Sequence, residues 1–371
     1  MELEVQKHLR KYSDIHNGLA SLESLYGIVH KFSEEFPELV LLKYSQVESP
    51  MGEKIVQECR GLILNTEEDW AIVSRPYNKF FNYGEGNADS IDWSSAKVYE
   101  KLDGSLMTLY WYRGWRVASS GNPDAAGPVW NFGGNTITFK ELFWNTWNEL
   151  GYSLPRSAGE TKYCFMFELM TPLNKVVVQH HENKLVLHGI RDIRTGKESD
   201  IDWAGIYNYE LCDRFGLVSI DEVVSFANRL NPIISEGYIV VDKNFNRIKV
   251  KSPQYVALHH IKDSMSPRKM LEIVRTNESS EFLNYFPELE SVYEDVLNKY
   301  NSLVSHIVYQ LCELEVLKNQ TGSLSRKDVG LATKGKFWQG IVFPIIFDNK
   351  SLRDCLSTMP IKKLEQWINA V

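Results

Sequence analysis

Four short stretches of this sequence carry side chains able to act together on a phosphate. The first is VYEKLDGSL, in which Lys101 stands just before Asp103 and Gly104. The runs on either side, AKVYEKL and SLMTLYWY, alternate like strands, so Asp-Gly between them reads as the tight turn of a β-hairpin. On that reading Lys101 is a solvated surface charge; on the alternative its amine is a nucleophile presented at the mouth of the turn. The second stretch is RIKVKS, where the spacing of Lys249 and Lys251 puts both on one face of a strand. Paired lysines also keep edge strands from aggregating. The third, FMFEL, closes an apolar run with Glu168, and the fourth, SEGYIVV, opens one with Glu236 and Gly237. Taken singly, a carboxylate at a strand end is ordinarily a surface group.

The four acquire weight as a set. A lysine that attacks the α-phosphate of a nucleoside triphosphate starts from a pKa of about 10.4 and must lose its proton, which nearby cations and desolvation promote. Charge developing on the phosphate needs fixed cations. Carboxylates are needed to hold a divalent metal, directly or through water, and to bind ribose hydroxyls. Lys101, then Glu168, then Glu236-Gly237, then Lys249 and Lys251 offer one candidate for each need.

In that order, K-x-D-G, a glutamate closing an apolar strand, E-G-[YF]-[VI] and K-x-K resemble the covalent nucleotidyltransferase superfamily of ATP-dependent ligases and mRNA capping enzymes. A closer resemblance, over nearly the whole chain, is to the phage RNA ligase 1 family of the tRNA-repair type. It is carried upstream by ECRGLIL and SRPYNKFFN, and downstream by FELMTPLNKVVV, KLVLHGIRDIRTGKE, EGYIVV, RIKVKSPQYVALHHIKDS and the C-terminal RKDVGLATKGKFWQGIVFPII. The resemblance implies three displacements at phosphorus. Lys101 takes AMP from ATP with release of pyrophosphate, the adenylyl group passes to an RNA 5′-phosphate, and a 3′-hydroxyl then displaces AMP to seal the strand.

The resemblance also assigns roles. Lys101 is the nucleophile, and Lys249 and Lys251 contact the α-phosphate and help depress the pKa of Lys101. Arg60 and Lys79 engage the outer phosphates, with Phe81 and, more loosely, Tyr44 beside them. Glu168 contacts the ribose. Glu236 organises the hydration shell of magnesium, for which manganese is a substitute. Tyr255 lies near the nucleotide, and Asp103, Gly104 and Ser105 shape the loop that presents Lys101. The implied partner is RNA with 5′-phosphate and 3′-hydroxyl ends, cleaved tRNA among them. The same superfamily holds ligases for DNA or nicked duplex and guanylyltransferases, against which the absence of strands for an OB-fold argues. A catalytically silent RNA-end-binding protein with the same fold is the alternative from another class. One departure stands out: the family's lysine in a K-S-K-G-like segment is here Ser120, in ASSGNP, and Arg116 is the nearest candidate to replace its charge.

The elements that must position these residues are mostly short strands between about residues 37 and 260: LVLLKYS, GLILNT, WAIVSRPY, WRVASS, KYCFMFEL, KVVVQHH and KLVLHGIRD join those already quoted. FKELFWNTWNEL and IDEVVSFANRL read as helices. This is an α+β pattern with antiparallel sheets, expected to form a nucleotidyltransferase domain over residues 1–262. Behind it, apolar residues from Leu289 to Leu311 recur with helical spacing, so residues 263–371 are expected to form a smaller all-helical domain, to which the resemblance gives RNA or tRNA specificity. From Lys318 to Val371 nine Lys or Arg face four acids, a balance suited either to a solvated surface or to a phosphate backbone. GLATKGK within it imitates a P-loop, but Phe337 stands where Ser or Thr must reach magnesium and no strand precedes it.

With 371 residues and 43% hydrophobic content the chain suits about two globular domains. A net charge of -7 excludes a protein that coats nucleic acid, so any nucleic-acid site must be local. Five scattered cysteines without a C-x-x-C pair argue against a disulfide framework or zinc site, and the histidines lack ligand spacing. The charged N-terminal stretch lacks the apolar core of a signal peptide, and no run is long enough to span a bilayer. No membrane partner and a cytoplasmic location, that of the host if the chain is phage-encoded, are the expectation.

Overall fold

The computed structural model describes residues 2–129, 137–263, 266–276, 282–283, 286, 289–348 and 350–370. The chain divides into two compact units, Met1–His259 and His260–Val371.

The first unit is built on three sheets. Strands β1 (Ile28–Phe32), β2 (Leu39–Tyr44), β3 (Arg60–Asn65) and β4 (Ala71–Ser74) form an antiparallel sheet in that order. The remaining strands are β5 (Phe81–Asn82), β6 (Lys97–Lys101), β7 (Ser105–Trp111), β8 (Trp115–Ser119), β9 (Tyr163–Met170), β10 (Lys184–Asp192), β11 (Glu198–Ser199), β12 (Glu210–Leu211), β13 (Arg214–Phe215), β14 (Gly237–Val241) and β15 (Arg247–Lys251). One sheet runs β11-β10-β9-β7-β8 with β12 added against β10; the other runs β13-β6-β14-β15-β5. All pairings are antiparallel except β10 with β12 and β15 with β5. Helices α1 (Glu4–Leu9), α2 (Ile15–Tyr26), α3 (Lys54–Glu58), α4 (Phe139–Glu149), α5 (Ile220–Ala227) and α6 (Pro253–Asp263) complete it. The elements before β2 have no counterpart in the sequence reading.

Two-residue periodicity decides which sheet faces carry chemistry. In β15, Ile248 and Val250 join Val98, Tyr238 and Val240 in a core covered by α5 through Val223 and Ala227. Arg247, Lys249 and Lys251 are thereby turned to the opposite face. In β9, Phe165, Phe167 and Leu169 pack with Phe143 and Trp147 of α4, so Glu168 shares the other face with Met166. Helix α4 itself starts on a capping box, Thr138 accepting from the Glu141 amide. The outward face of the β9 sheet and the outward face of the β15 sheet line the cleft described below.

Two sequence expectations change. Asp103-Gly104 is not a hairpin: β6 pairs with β13 and β14, whereas β7 pairs with β8 and β9. The turn carries the chain from one sheet to the other. KVVVQHH is not a strand either; its Val177 and Val178 amides bind Asp103 instead of a ladder partner.

The second unit is helical: Pro267–Thr276, Glu290–Thr321, Arg326–Ala332, Gln339–Phe347, Leu352–Ser357 and Ile361–Ile368. The long helix buries Leu303, Ile307 and Leu314 and ends at Gly322, whose φ of +79° makes the left-handed cap. Gly330 of the P-loop look-alike lies inside the helix Arg326–Ala332. Among the described residues no helix is long and apolar enough to cross a membrane, and all five cysteines are free.

Candidate active site

Three strands end side by side. Gly237, the first residue of β14, pairs with Lys101 at the end of β6 on one side and with Lys251 at the end of β15 on the other. A Cβ at Gly237, where φ is +153°, would stand 2.2 Å from the Val250 carbonyl oxygen, so only glycine lets the strands close up there. The preceding Glu236 is thereby buried between the two lysines. Its Oε2 accepts from Lys101 Nζ at 2.6 Å and its Oε1 from Lys251 Nζ at 2.7 Å.

This bridge sets the charge on Lys101. Burial pulls its pKa down, but the Glu236 and Glu168 carboxylates outweigh that and hold it above the usual lysine value. The expectation that Lys249 and Lys251 depress it is therefore not met in the free protein, because Glu236, between Lys101 and Lys251, dominates. The lysine that is depressed is Lys249, pushed down to about 7 by burial and by the surrounding charges of Lys79, Lys101, Lys251 and Arg60.

Aromatic rings hold the outer cations. The Arg60 guanidinium, at the start of β3, lies 5.3 Å from the centre of the Phe80 ring, and Lys249 Nζ lies 5.4 Å from it. Arg60 Nη1 is buried and, among the described residues, has no hydrogen-bond partner. Lys79 Nζ sits 5.1 Å from the Tyr44 ring and 5.6 Å from Phe81. Phe80 escaped the sequence reading although its neighbours Lys79 and Phe81 were singled out; an aromatic there is indistinguishable by type from a core residue.

Lys101, Gly104, Glu168 and Arg60 line one cavity of about 500 Å³ between the two sheets, with Phe80 and Ile239. Asp103, Ser105, Tyr255, Glu236, Gly237, Lys249, Lys251, Lys79, Phe81 and Tyr44 do not line it. Asp103 is a buried anchor: Oδ2 accepts from the amides of Val177 and Val178 at 2.9 and 2.6 Å, Oδ1 from the Tyr255 hydroxyl at 2.6 Å. His180 Nε2 contacts the Asp103 carbonyl oxygen at 2.7 Å. Ser105 Oγ accepts from Asn174. A Cβ at Gly104 would meet the Leu169 carbonyl oxygen at 2.4 Å, which fixes glycine at the crossing between sheets. These residues hold the Lys101 loop from behind, a task that the resemblance gave to Asp103, Gly104 and Ser105 but not to Tyr255.

Arg116 does not serve the site: it pairs with Glu35 at 3.2 Å and lies over Phe36. The cation beside the Ser120-Gly121 turn is Lys43, whose Nζ would lie 3.3 Å from a Cβ built on Gly121. Lys43 pairs in register with Arg60, so the two share a sheet face.

An α+β pair of sheets with a lysine at the end of a cleft strand, carboxylates beside it and cations around it defines a nucleotidyltransferase. The family model for RNA ligase matches residues 58–255, more than half of the chain. The RNA ligase of Rhodothermus phage RM378 is 25% identical over 327 residues, covering 69% of this chain and 73% of that protein. A putative bifunctional polynucleotide kinase/RNA ligase of Autographa californica nuclear polyhedrosis virus is 29% identical over 302 residues, covering 76% of this chain but 42% of the viral protein. An archaeal ATP-dependent RNA ligase of known structure aligns over 82% of this chain and 83% of its own, with 12% identity and a TM-score of 0.45. The chain belongs to the RNA ligase family, within its phage RNA ligase 1 branch.

Proposed function

We propose that this protein joins RNA 5′-phosphate and 3′-hydroxyl ends at the expense of ATP, through an AMP carried on Lys101. The observation that supports the reading most is the Glu236 bridge: it fixes Lys101 Nζ at the cavity wall, beside cations suited to a triphosphate.

In the first step Lys101 gives up its ammonium proton to solvent and the neutral amine attacks the α-phosphorus; an N–P bond forms as the bond to the bridging oxygen breaks, pyrophosphate leaves, and a second amine proton passes to solvent. An oxygen of the RNA 5′-phosphate next attacks the same phosphorus, the N–P bond breaks, and the departing Lys101 nitrogen takes up protons from solvent. Last, the 3′-hydroxyl attacks the RNA 5′-phosphorus, AMP departs, and the hydroxyl proton is lost. Nothing covalent is asked of the remaining side chains, so their work is positioning and charge neutralisation. Lys249, Lys251 and Arg60 take the phosphates, and Glu168 takes the ribose. Lys79, held by Tyr44 and Phe81, faces the outer phosphates. Lys43, beside Ser120, supplies the positive charge that Ser120 does not.

Magnesium ordinarily binds one or two carboxylates together with substrate phosphates. The donor set fits that pattern: among the described residues no group of three or more His, Cys, Asp or Glu stands at ligand spacing, and Glu236 is the carboxylate bonded to Lys101. Glu236 would hold the ion, directly or through water, and when bound it would neutralise triphosphate charge. The exposed Lys327, Lys334 and Lys336 of the helical unit are a suitable RNA surface, and cleaved tRNA is the substrate to try first.

The test is sealing itself. RNA bearing a labelled 5′-phosphate and a 3′-hydroxyl, incubated with ATP and magnesium, should become resistant to phosphatase, whereas RNA ending in a 3′-phosphate or dephosphorylated at its 5′ end should not. Labelled RNA that stays fully phosphatase-sensitive with folded protein would overturn the reading.

A further inference from the structure

The tip of the hairpin formed by β7 and β8 takes no part in the three-step reaction. Its sequence over residues 111–116 is WYRGWR, aromatic rings and arginines interleaved. Single-stranded nucleic acid is held by such groups, the rings stacking on bases and the guanidinium groups lying beside them. Strand β8 is the edge of its sheet, so the hairpin has one open side. Trp111, opposite Trp115 in the register, is 40% exposed.

Beside the tip, the hairpin, the segment before β2 and helix α4 enclose a slot of about 120 Å³, with Phe36, Tyr110, Trp115 and Trp144 among its walls. That is room for one flat ring system, well below the pockets of about 300 Å³ and upward that take whole ligands. Its rim is polar and open. Glu35 accepts from Arg116 Nη1 at 3.2 Å and from Lys140, and the three side chains remain about a third exposed. Arg116 also lies over the Phe36 ring. A nucleobase carries donors and acceptors along one edge, and this rim offers it a carboxylate and two cations. A phosphate inside the slot would instead meet Asp124, whose carboxylate is part of the wall.

Strand β8 joins the slot to the catalytic cleft. Its far end, Ser119, leads into Ser120, whose carbonyl oxygen would lie 3.5 Å from a Cβ on Gly61, the neighbour of Arg60, and then into Gly121 beside Lys43. From Arg116 to Ser119 is three residues of strand, about 10 Å. We propose that single-stranded RNA entering the cleft runs along β8, with one unstacked base in the slot against Trp115 and Trp144 and a neighbouring base on the exposed Trp111. The inference rests on the ligase reading above and adds to it a contact away from the reacting ends. Its consequence is a preference for unpaired strands, whose bases are free to enter.

The experiment uses the full chain and the variants Trp111→Ala and Trp144→Leu. Lysyl-AMP formation needs no RNA; it should be unchanged in both variants and shows that they are folded, and Trp111, being on the surface, carries the test should Trp144→Leu fail to fold. Two further rates are followed against RNA concentration: AMP transfer from adenylylated protein to a 5′-phosphorylated strand, and sealing of a pre-adenylylated strand to a 3′-hydroxyl strand. For the strand that lies on β8, the RNA concentration giving half-maximal rate should rise roughly fivefold or more, the loss of one aromatic–base stack, with the maximal rate kept. With a dinucleotide in place of that strand, too short to reach the slot, variants and wild type should coincide. Unchanged half-saturation in both reactions would overturn the proposal. So would an equal loss with the dinucleotide, which would mark the tryptophans as merely structural. Absence of lysyl-AMP in wild type would instead overturn the ligase reading, and this inference with it.

Discussion

Lys249 should take up a proton when a nucleotide binds. In the free protein its pKa is pushed down to about 7 by burial and by four neighbouring cations. A base with a depressed pKa binds fewer protons than usual, so above pH 7 the free site carries Lys249 mostly neutral. A triphosphate placed among Lys249, Lys251 and Arg60 supplies the missing counter-charge and returns Lys249 toward the ordinary value of 10.5. At pH 8 roughly one free molecule in ten carries this proton, so binding should take up about 0.9 proton; at pH 6 the figure should fall to about 0.1. Apparent affinity attributable to this group should weaken about tenfold for each pH unit above 7. The assay is titration calorimetry with α,β-methylene ATP, which cannot transfer its adenylyl group, in buffers of differing ionisation enthalpy. Lys249→Met subtracts the proton exchange of the nucleotide and of every other residue. A zero slope of enthalpy against buffer ionisation at pH 8, or the same slope in Lys249→Met, would refute the reasoning.

Tyr255→Phe should lower stability by about 1.5–3 kcal/mol, the range for a buried hydrogen bond to a charged group, because Asp103 loses one of its partners; thermal unfolding reads this as a Tm lowered by several degrees. Adenylylation should fall in the same variant, since the loop behind Lys101 is released. Lys43→Ala should reduce the rate of lysine adenylylation by tenfold or more, as expected for losing a charge-assisted contact to phosphate, and Ser120→Lys in the same chain should restore much of it. A Lys43→Ala protein as active as wild type would remove Lys43 from the site.

What the sequence displayed was whatever depends on local alternation. Ile248 and Val250 are apolar and Lys249 and Lys251 basic, so the strand and the shared face of its lysines could be read directly; the same holds for Glu168 among its apolar neighbours. The partner of each strand could not. Asp103-Gly104 between two alternating runs is a hairpin by every local rule, yet β6 pairs with β14, far along the chain, and the second run joins another sheet. The anchoring role of Tyr255 was hidden for the same reason, its hydroxyl closing on Asp103 from 152 residues away. KVVVQHH has strand composition, but its amides satisfy a carboxylate. The charge states run against simple expectation because they are set by three-dimensional neighbours: Glu236 keeps Lys101 charged, and crowding discharges Lys249.

The central claim is that Lys101 carries AMP. Wild-type protein incubated with ATP, magnesium and pyrophosphatase should gain the mass of one AMP, and peptide mapping should place it on the peptide containing Lys101. Folded Lys101→Ala should gain nothing. An adduct on another lysine, or none in folded wild type, would contradict the account.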